Sequence, residues 1–335
     1  MGGDRAPQPI VDGALAATRH FNLGVALVGP AAVVEDHLER SVTYGELDRR
    51  RVRIVDAPDV VAMDESPAAA LRRKPRASIK VAAELVAARE AAGLVSAGHT
   101  GATVMAAHGT FGMLAGVERP ALAATIPTRR QPAVLLDVGA IVECRPQHLV
   151  QFAVMGAQYA RVAGNRGDHA PRVGLLSIGE EAGKGNDLTR EAYRLLDSLE
   201  TASLSFIGNL EAREVYSGKA DVIVCDGFTG NVVLKAGEGL VEMLEAELSS
   251  TITMRVGSLL MRRALRHFRR RVDYSEYGGA PLLGVGGVAI VAHGRSNAKA
   301  VRNAVASAYR FADRGLLDGL AREIASVSGA YAPQR

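Results

Sequence analysis

Short apolar runs recur along the chain, and most of them end in a glycine-containing turn that leads into a helical pattern. Nine such runs lie at 25–28, 52–55, 94–95, 122–126, 134–136, 173–176, 204–207, 222–224 and 288–291. Most runs are continuous rather than alternating, as expected for parallel strands that are buried on both faces. Helical patterns lie at 78–92, 146–163, 187–199, 231–248 and 296–324. This alternation predicts an α/β fold, doubly wound around a mostly parallel sheet.

The composition argues against several classes of protein. The 335 residues include only two cysteines, which cannot make a disulfide framework and are typical of a reducing compartment. No Cys/His cluster has the spacing of a zinc site, and the first residues lack the apolar region of a signal peptide. Residues 91–117, the longest uncharged stretch, contain six glycines, which disfavours a membrane span. We therefore expect a cytoplasmic protein that folds as one domain over residues 1–335 and contains no metal.

The positive charge is concentrated in one segment. The chain has a formal net charge of +4, too small to indicate a nucleic-acid partner. Residues 248–272, here called the basic segment, contain seven arginines and no acidic residue, so the rest of the chain has a net charge of −3. Apolar and basic residues of the segment fall on opposite faces of a helical wheel, which predicts a protruding basic amphipathic helical hairpin.

Such a hairpin suits an anionic membrane surface or an acidic protein partner. The alternative is a solvated basic face that packs on the protein itself or on a second copy. The residues that we expect to make the contact are Arg255, Leu259, Leu260, Arg262, Arg263, Arg266, Phe268, Arg269 and Arg270.

Five glycine-containing turns follow predicted strands, at 96–101, 137–139, 177–186, 225–231 and 293–296. In an open parallel sheet, ligands bind beyond the carboxyl ends of the strands, where glycine lets backbone amides approach an anion. Turns that converge at one edge of the sheet predict a site for a phosphate-bearing ligand, although glycine turns also simply end strands. The G-x-G-x-x-G, P-loop and G-x-S-x-G patterns are absent, which disfavours an NAD dehydrogenase, an ATPase or a serine hydrolase.

Seven motifs resemble, in the same order over residues 1–308, the PlsX family of bacterial acyl-ACP:phosphate acyltransferases. They are MGGDRAP at 1–7, MDESP at 63–67, SAGHTGA at 96–102, PQHLVQF at 146–152, GEEAGKG at 179–185, CDGFTGNVVLK at 225–235 and YGGAPLLG at 277–284. The resemblance implies that inorganic phosphate attacks a long-chain acyl thioester of acyl carrier protein and forms acyl phosphate. A glycerol-3-phosphate acyltransferase would use this product in phospholipid synthesis.

The resemblance also implies an α/β/α fold similar to isopropylmalate dehydrogenase and phosphotransacetylase, a homodimer, no cofactor, and peripheral membrane association. This chain departs from the family pattern at several positions. Family members usually carry an apolar strand before the Met-Gly-Gly-Asp turn, so such a strand is either encoded upstream or missing from the sheet. His99, Ile141 and Ser177 stand where asparagine is expected, and Ala212 stands where glycine is expected.

The chemistry requires a bound phosphate, a stabilised oxyanion and a departing thiolate, so positioning and electrostatics can do most of the work. We predict that Lys184, Asn186 and the amides of the 179–185 loop bind phosphate. The predicted catalytic residues are Lys184, Asn186, Asp226, Asn231 and His293. The predicted substrate-binding residues are Asp4, Ser96, Gly98, His99, Thr100, Gly179, Gly183, Gly185, Thr229 and Lys235.

Each of these residues also has a structural interpretation. Thr100 and Asn231 are natural helix caps, Lys235 suits a helix surface, and a strand-end histidine such as His293 is often structural. Cys225 follows an apolar run and is expected to be a buried thiol rather than an acyl carrier. Two other functions remain open, namely a membrane-surface scaffold with impaired catalysis and an NAD-dependent dehydrogenase of similar fold.

Overall fold

The computed structural model describes residues 1–41, 45, 50–164, 169–248, 251 and 261–329. The strands are β1 Val25–Gly29, β2 Val52–Asp56, β3 Leu94–Ser96, β4 Ala121–Ile126, β5 Ala133–Leu136, β6 Arg172–Leu176, β7 Ser205–Leu210, β8 Val222–Val224, β9 Ala280–Leu283 and β10 Ala289–Val291. The helices are α1 Gln8–His20, α2 Ala31–Arg40, α3 Pro67–Arg73, α4 Ser78–Ala87, α5 Thr100–Phe111, α6 Pro146–Ala163, α7 Asp187–Asp197, α8 Gly227–Glu247, α9 Arg262–Val272, α10 Ala298–Asp313 and α11 Leu316–Val327.

Eight strands form one mixed sheet in the order β3-β10-β9-β4-β5-β8-β6-β7, and β1 pairs with β2 in a separate parallel sheet. Within the large sheet, β9 is antiparallel to both β10 and β4, and β4 is antiparallel to β5. The pairs β3/β10, β5/β8, β8/β6 and β6/β7 are parallel. Consequently β5, β8, β6 and β7 run in the opposite direction to β3 and β10.

The large sheet is covered on both faces. Side chains alternate along β5, because Val134 and Leu136 join the core beneath α6, whereas Ala133 and Leu135 join the core on the other face. The first core also contains side chains of α7, α10 and α11, and the second contains side chains of α4 and α5. The predicted doubly wound α/β fold is therefore confirmed, with a sheet in which parallel pairs predominate.

Helix α6 lies at the centre of the first core, and its side chains from Leu149 to Val154 are almost completely buried. At Gly156, an added Cβ would lie 2.6 Å from Val222 Cγ1 and 2.8 Å from Leu136 Cδ2. Glycine at this position lets α6 approach the strands closely. Burial of one large side chain such as Phe152 contributes about 2–3 kcal/mol, so the helix is a principal source of stability.

All nine predicted apolar runs contain or overlap a strand, but the sequence pattern missed β9. Pro281 lies inside this strand, and proline is rare in central strands because it lacks an N–H donor. Helix α8 begins at Gly227 rather than Asn231. The predicted helix over 296–324 is two helices, because Gly315 adopts a left-handed conformation with φ of 64°. Helices α1, α2 and α3 were not predicted.

A cavity of about 660 Å³ separates the β1–β2 sheet from β3, and its lining includes Leu27, Val52 and Leu94. Met1 lies at one end of this cavity. A Cβ added to Gly29, at the end of β1, would lie 2.9 Å from Met1 Cγ, and one added to Gly98 would lie 3.1 Å from Met1 O. Burial lowers the pKa of the Met1 α-amino group. Among the described residues, β1 forms no strand pairing with the large sheet.

Within the part of the chain that the structure describes, every helix is too short or too polar to cross a lipid bilayer.

Candidate active site

The five glycine-containing turns lie at two edges of the large sheet. Strands β3 and β10 run in one direction, so the turns at 96–101 and 293–296 lie at what we call the first edge. Strands β5, β6 and β8 run the other way, so the turns at 137–139, 177–186 and 225–231 lie at the second edge. The prediction of one shared edge was wrong, because apolar runs do not reveal strand direction and β9 was not recognised.

At the first edge, the Met1–Asp4 turn packs between the loops that follow β3 and β10. Asp4 N donates a hydrogen bond to Gly294 O at 2.9 Å. A Cβ added to Gly3 would lie 2.9 Å from Ala97 O, and one added to Gly294 would lie 3.0 Å from Asp4 Oδ1. Glycine thus permits the Met1–Asp4 turn to approach the backbone of the two loops closely. The structure brings Asp4, Gly98 and His293 into one region, as predicted.

Helix α5 begins at this edge, and its N-cap residue is His99. Ala102 N donates to His99 Nδ1 at 3.4 Å, while His99 Nε2 lies 3.1 Å from Glu65 O. Thr100 is the first helical residue and its side chain is not the cap, contrary to the structural interpretation of the sequence. Ser96 Oγ accepts hydrogen bonds from Thr103 Oγ1 at 3.0 Å and from Gly98 N at 3.3 Å.

Helix α10 also begins at the first edge. Its N-cap Asn297 accepts a hydrogen bond from Ala300 N at 2.9 Å. The preceding residue, Ser296, is only 3% exposed, and its hydroxyl has no hydrogen-bond partner among the described residues. A buried hydroxyl usually has a partner, and helix N-termini favour anions. The N-termini of α5 and α10 and the unpaired Ser296 hydroxyl thus all lie at this edge.

A charged cluster completes the first edge. Glu238 of α8 lies 3.0 Å from Lys235 Nζ, 3.5 Å from His293 Nε2 and 3.3 Å from an Arg295 guanidinium nitrogen. Burial lowers the pKa of His293, and Lys235 and Arg295 lower it further, while Glu238 opposes them. His293 is thus neutral at neutral pH and can accept a proton. Neither Glu238 nor Arg295 was predicted as a site residue, although Glu238 lies at i+3 from Lys235.

The second edge contains the start of α8. Asp226 is its N-cap and accepts hydrogen bonds from Thr229 N at 2.9 Å and from Thr229 Oγ1 at 2.7 Å. Asn231 is not the cap, as the sequence had allowed, but lies in the second turn of the helix. It faces the Asp137–Gly139 turn, since a Cβ added to Gly139 would lie 3.8 Å from Asn231 Cβ. Lys235 follows one turn later and reaches the cluster at the first edge.

The predicted phosphate loop also lies at the second edge. Asn186 caps α7 by accepting a hydrogen bond from Thr189 N at 2.9 Å. Gly185 has φ of 107°, and an added Cβ would lie 2.0 Å from Thr189 Oγ1, so only glycine fits. Lys184 is exposed and has no ion pair with any described residue. The structure therefore brings Lys184, Asn186, Gly179 and the neighbouring glycines together, but at the edge opposite His293.

Both cysteines are unsuited to nucleophilic catalysis. Cys225 is buried, as predicted, and burial together with Asp226 and Asp137 raises the pKa of its thiol well above the usual value. Burial, with Asp137 and Asp226, also raises the pKa of Cys144 to about 12. Both thiols stay protonated at neutral pH, and thiolates are the reactive form. Within the described ranges, no group of three or more His, Cys, Asp or Glu side chains is placed to hold a metal ion.

The basic segment is described in part. Arg255, Leu259 and Leu260 lie outside the described residues, whereas Arg262, Arg266 and Arg270 belong to α9, as predicted. Arg263 and Phe268 of this helix are exposed. Arg269 pairs with Glu245 of α8 at 3.0 Å, so a contact joins the two helices at this point. The end of α8 adds three exposed apolar side chains, Leu240, Met243 and Leu244.

Two solved structures share this fold. A phosphotransacetylase from Streptococcus pyogenes matches with a TM-score of 0.60 and 17% identity, covering 96% of this chain and 92% of that one. The EutD phosphotransacetylase from Staphylococcus aureus matches with a TM-score of 0.58 and 16% identity, covering 95% of this chain and 91% of that one. The chain thus has the α/β fold of the phosphotransacetylases.

Closer relatives identify the family. The sequence model described as "fatty acid synthesis protein" matches residues 1–318. A phosphate acyltransferase from Acidobacterium capsulatum is 48% identical over 335 residues, which are 99% of this chain and 97% of the relative. A phosphate acyltransferase from Nitratidesulfovibrio vulgaris is 49% identical over 318 residues, 94% of this chain and 90% of the relative. The chain belongs to the fatty acid synthesis protein family, which confirms the resemblance to PlsX, and it is an acyltransferase.

Proposed function

We propose that the protein transfers a long-chain acyl group from acyl carrier protein to inorganic phosphate and releases acyl phosphate. The observation that carries this proposal is the presence of two helix N-termini at the first edge, since helix N-termini favour anions. There the N-termini of α5 and α10 meet the unpaired Ser296 hydroxyl, with Lys235 and His293 beside them. The names of the curated relatives support phosphate as the acceptor.

In the proposed reaction, an oxygen of hydrogen phosphate attacks the thioester carbonyl carbon, and a tetrahedral oxyanion forms. Collapse of this intermediate breaks the carbon–sulfur bond and expels the carrier thiolate. The proton of hydrogen phosphate moves to the thiolate, so the products are acyl phosphate and free thiol. Because a free thiol has a pKa of about 8.5, its thiolate leaves without strong acid assistance. Positioning and electrostatic stabilisation are therefore the main tasks of the protein.

The residues of the first edge suit these tasks. Ser296 and the N-terminal amides of α10 would hold the phosphate, with the amides of α5 behind Ser96, Gly98 and His99 on its other side. Lys235 would donate to the developing oxyanion. Neutral His293 would accept the phosphate proton and pass it to the thiolate, and Glu238 keeps both basic side chains in place.

A second phosphate position at the other edge has one observation in its favour. Lys184 has no ion-pair partner among the described residues and projects from a glycine-rich loop at the start of α7. The Oδ1 atom of Asn186 already accepts the hydrogen bond that caps this helix. We assign phosphate binding to the first edge, because two helix N-termini and the unpaired Ser296 hydroxyl lie there. The value of kcat/KM for phosphate should accordingly fall more in Lys235→Met than in Lys184→Met.

The proposal extends to where the enzyme works. The exposed Arg263 and Phe268 on α9, with the apolar end of α8, support contact with an anionic membrane surface or with the acidic carrier protein. Acyl phosphate would be delivered there to a glycerol-3-phosphate acyltransferase. We propose a cytoplasmic, peripherally membrane-associated homodimer without cofactor.

One assay separates the candidate functions. The protein is incubated with palmitoyl-acyl carrier protein, with and without inorganic phosphate, and acyl phosphate is trapped with hydroxylamine. Hydroxamate that forms only with phosphate is the expected result. A folded protein that yields none would favour the scaffold function. Thermal stabilisation by NAD would favour the dehydrogenase.

A further inference from the structure

Asp137 is the most deeply buried acid of the described chain and follows β5 at the second edge. Its carboxylate is 0% exposed. Oδ1 accepts hydrogen bonds from Leu122 N at 2.8 Å, Gly139 N at 3.1 Å and Ala140 N at 3.0 Å. Oδ2 accepts from Ile141 N at 2.7 Å. One side chain thus ties the start of β4 to the whole turn at 137–141.

We infer that Asp137 is a positioning residue, whose carboxylate fixes the turn against which α8 begins and thereby fixes Lys235 at the first edge. This inference rests on the proposed function, because it concerns the placement of a residue that the proposed reaction uses. The reaction itself takes place away from Asp137.

The turn is joined directly to the first residues of α8. Ile141 O accepts a hydrogen bond from Gly227 N at 2.9 Å. A Cβ added to Gly230 would lie 1.9 Å from Asp137 O, so the helix backbone rests on this carbonyl group with no space between them. Asp137 N also donates to Cys225 O at 2.9 Å. The turn therefore determines both the origin and the direction of the helix.

A helix is a stiff rod, so an error at its origin is carried along its axis. Lys235 lies eight residues after Gly227, which corresponds to about 12 Å along the axis. A tilt of about 10° at the origin would shift Lys235 by about 2 Å over that length. A misplacement of about 1 Å can reduce a reaction rate by about 100-fold. The turn and the cluster at the first edge are thus mechanically linked through α8.

The carboxyl oxygens matter as acceptors, because four backbone N–H groups point at them. Burial raises the pKa of Asp137, and these four hydrogen bonds offset that rise only in part. An asparagine has nearly the same shape, but its amide nitrogen is a donor and would face one of these N–H groups. The Asp137→Asn variant should therefore loosen the turn and leave the neighbouring core intact.

The test is a double-mutant cycle of Asp137→Asn with Lys235→Met, measured as kcat/KM for phosphate with palmitoyl-acyl carrier protein. We expect Asp137→Asn to reduce kcat/KM by at least 30-fold in the natural background and by less than threefold in the Lys235→Met background. Equal losses in both backgrounds would overturn the inference, because a general loss of folded protein acts independently of Lys235.

Gln151 supplies the matched control. It is 1% exposed and bridges two backbone groups, accepting from Glu118 N at 2.9 Å and donating to Gly116 O at 2.9 Å. The Gln151→Leu variant should lower the melting temperature, yet keep kcat/KM of the folded fraction within threefold. A loss as large as that of Asp137→Asn would mean that any buried polar defect reduces activity, and would count against a positioning role.

Two further measurements keep the test decisive. If Asp137→Asn does not fold, Gly230→Ala pushes α8 away from Asp137 O and should show the same dependence on Lys235. Amide exchange at residues 230–233 should accelerate in Asp137→Asn and stay unchanged in Gln151→Leu. If the natural protein forms no acyl phosphate, the proposed function fails, and unchanged exchange in Asp137→Asn would separately refute the link between the turn and α8.

Discussion

Replacement of Lys235 by methionine tests whether the first edge is the reaction centre. Methionine keeps most of the aliphatic length of lysine and removes the charge. The stability of the fold should hardly change, because the lysine side chain is 52% exposed and the less exposed Glu238 keeps its ion pair with Arg295. Such exposed pairs contribute about 0.3–0.5 kcal/mol, and methionine is a good helix former. The melting temperature should fall by less than about 2 °C.

The effect on catalysis should be far larger. In the proposed mechanism, Lys235 donates to an oxyanion that exists only in the transition state. Loss of one such donor typically lowers the rate by about 100- to 1,000-fold, equivalent to about 2.7–4 kcal/mol. We therefore expect kcat/KM for phosphate to fall by about 100-fold in the hydroxylamine assay. The contrast between a large kinetic effect and a small thermal effect is the signature of the proposed role.

The matched control is Lys219→Met. Lys219 also forms an exposed ion pair, with Glu214 at 3.0 Å, but it lies before β8 and outside the cluster at the first edge. Its replacement should change neither activity nor stability appreciably. The reasoning would be refuted if folded Lys235→Met kept kcat/KM within threefold of the natural protein. It would also be refuted if Lys219→Met lost as much activity.

Three other outcomes follow from the geometry. Burial lowers the pKa of His293, so its neutral form should persist as the pH falls through about 6.5. The value of kcat/KM should therefore decline only below that pH. The His293→Asn variant should lack this decline. Asn186→Ala should destabilise the protein by about 1 kcal/mol through the lost cap, seen in urea unfolding, with unchanged kcat; a loss of kcat would make Asn186 catalytic. Substitution of glutamine at five α9 positions should reduce cosedimentation with anionic but not neutral liposomes by at least tenfold; the positions are Arg262, Arg263, Arg266, Arg269 and Arg270. Unchanged binding would exclude α9 from membrane contact.

The sequence predicted the layers of the fold well, because hydrophobic runs report burial directly. The continuous run Val134–Leu136 is buried on both faces of the sheet, and α6 begins and ends at the predicted residues. Strand direction was inaccessible, because an apolar run looks the same whichever way it points. Pro281 hid β9, and without β9 the reversal of direction between the two halves of the sheet could not be seen.

The sequence identified several residues of the candidate site but not how they are arranged in space. Glycine turns, Lys235 and His293 were identified from local chemistry. Glu238 was missed because a helical glutamate is usually a surface residue, and only the tertiary structure brings it to His293. Asp137 was recognised as the beginning of a turn, but its burial depends on β4, which is adjacent in the sheet through pairing and not through sequence.

The cavity beside β1 bears on how this protein avoids aggregation through unpaired strand edges. Among the described residues, β1 pairs only with β2 and β3 only with β10, and both strands line the cavity. An unpaired strand edge is a template for aggregation when another chain can reach it. Here each edge is shielded by the opposite wall, which is held by the close packing of α1 at Gly13 against Val301 of α10. We therefore expect solubility under heat stress to depend on the α1–α10 contact at Gly13 and Val301.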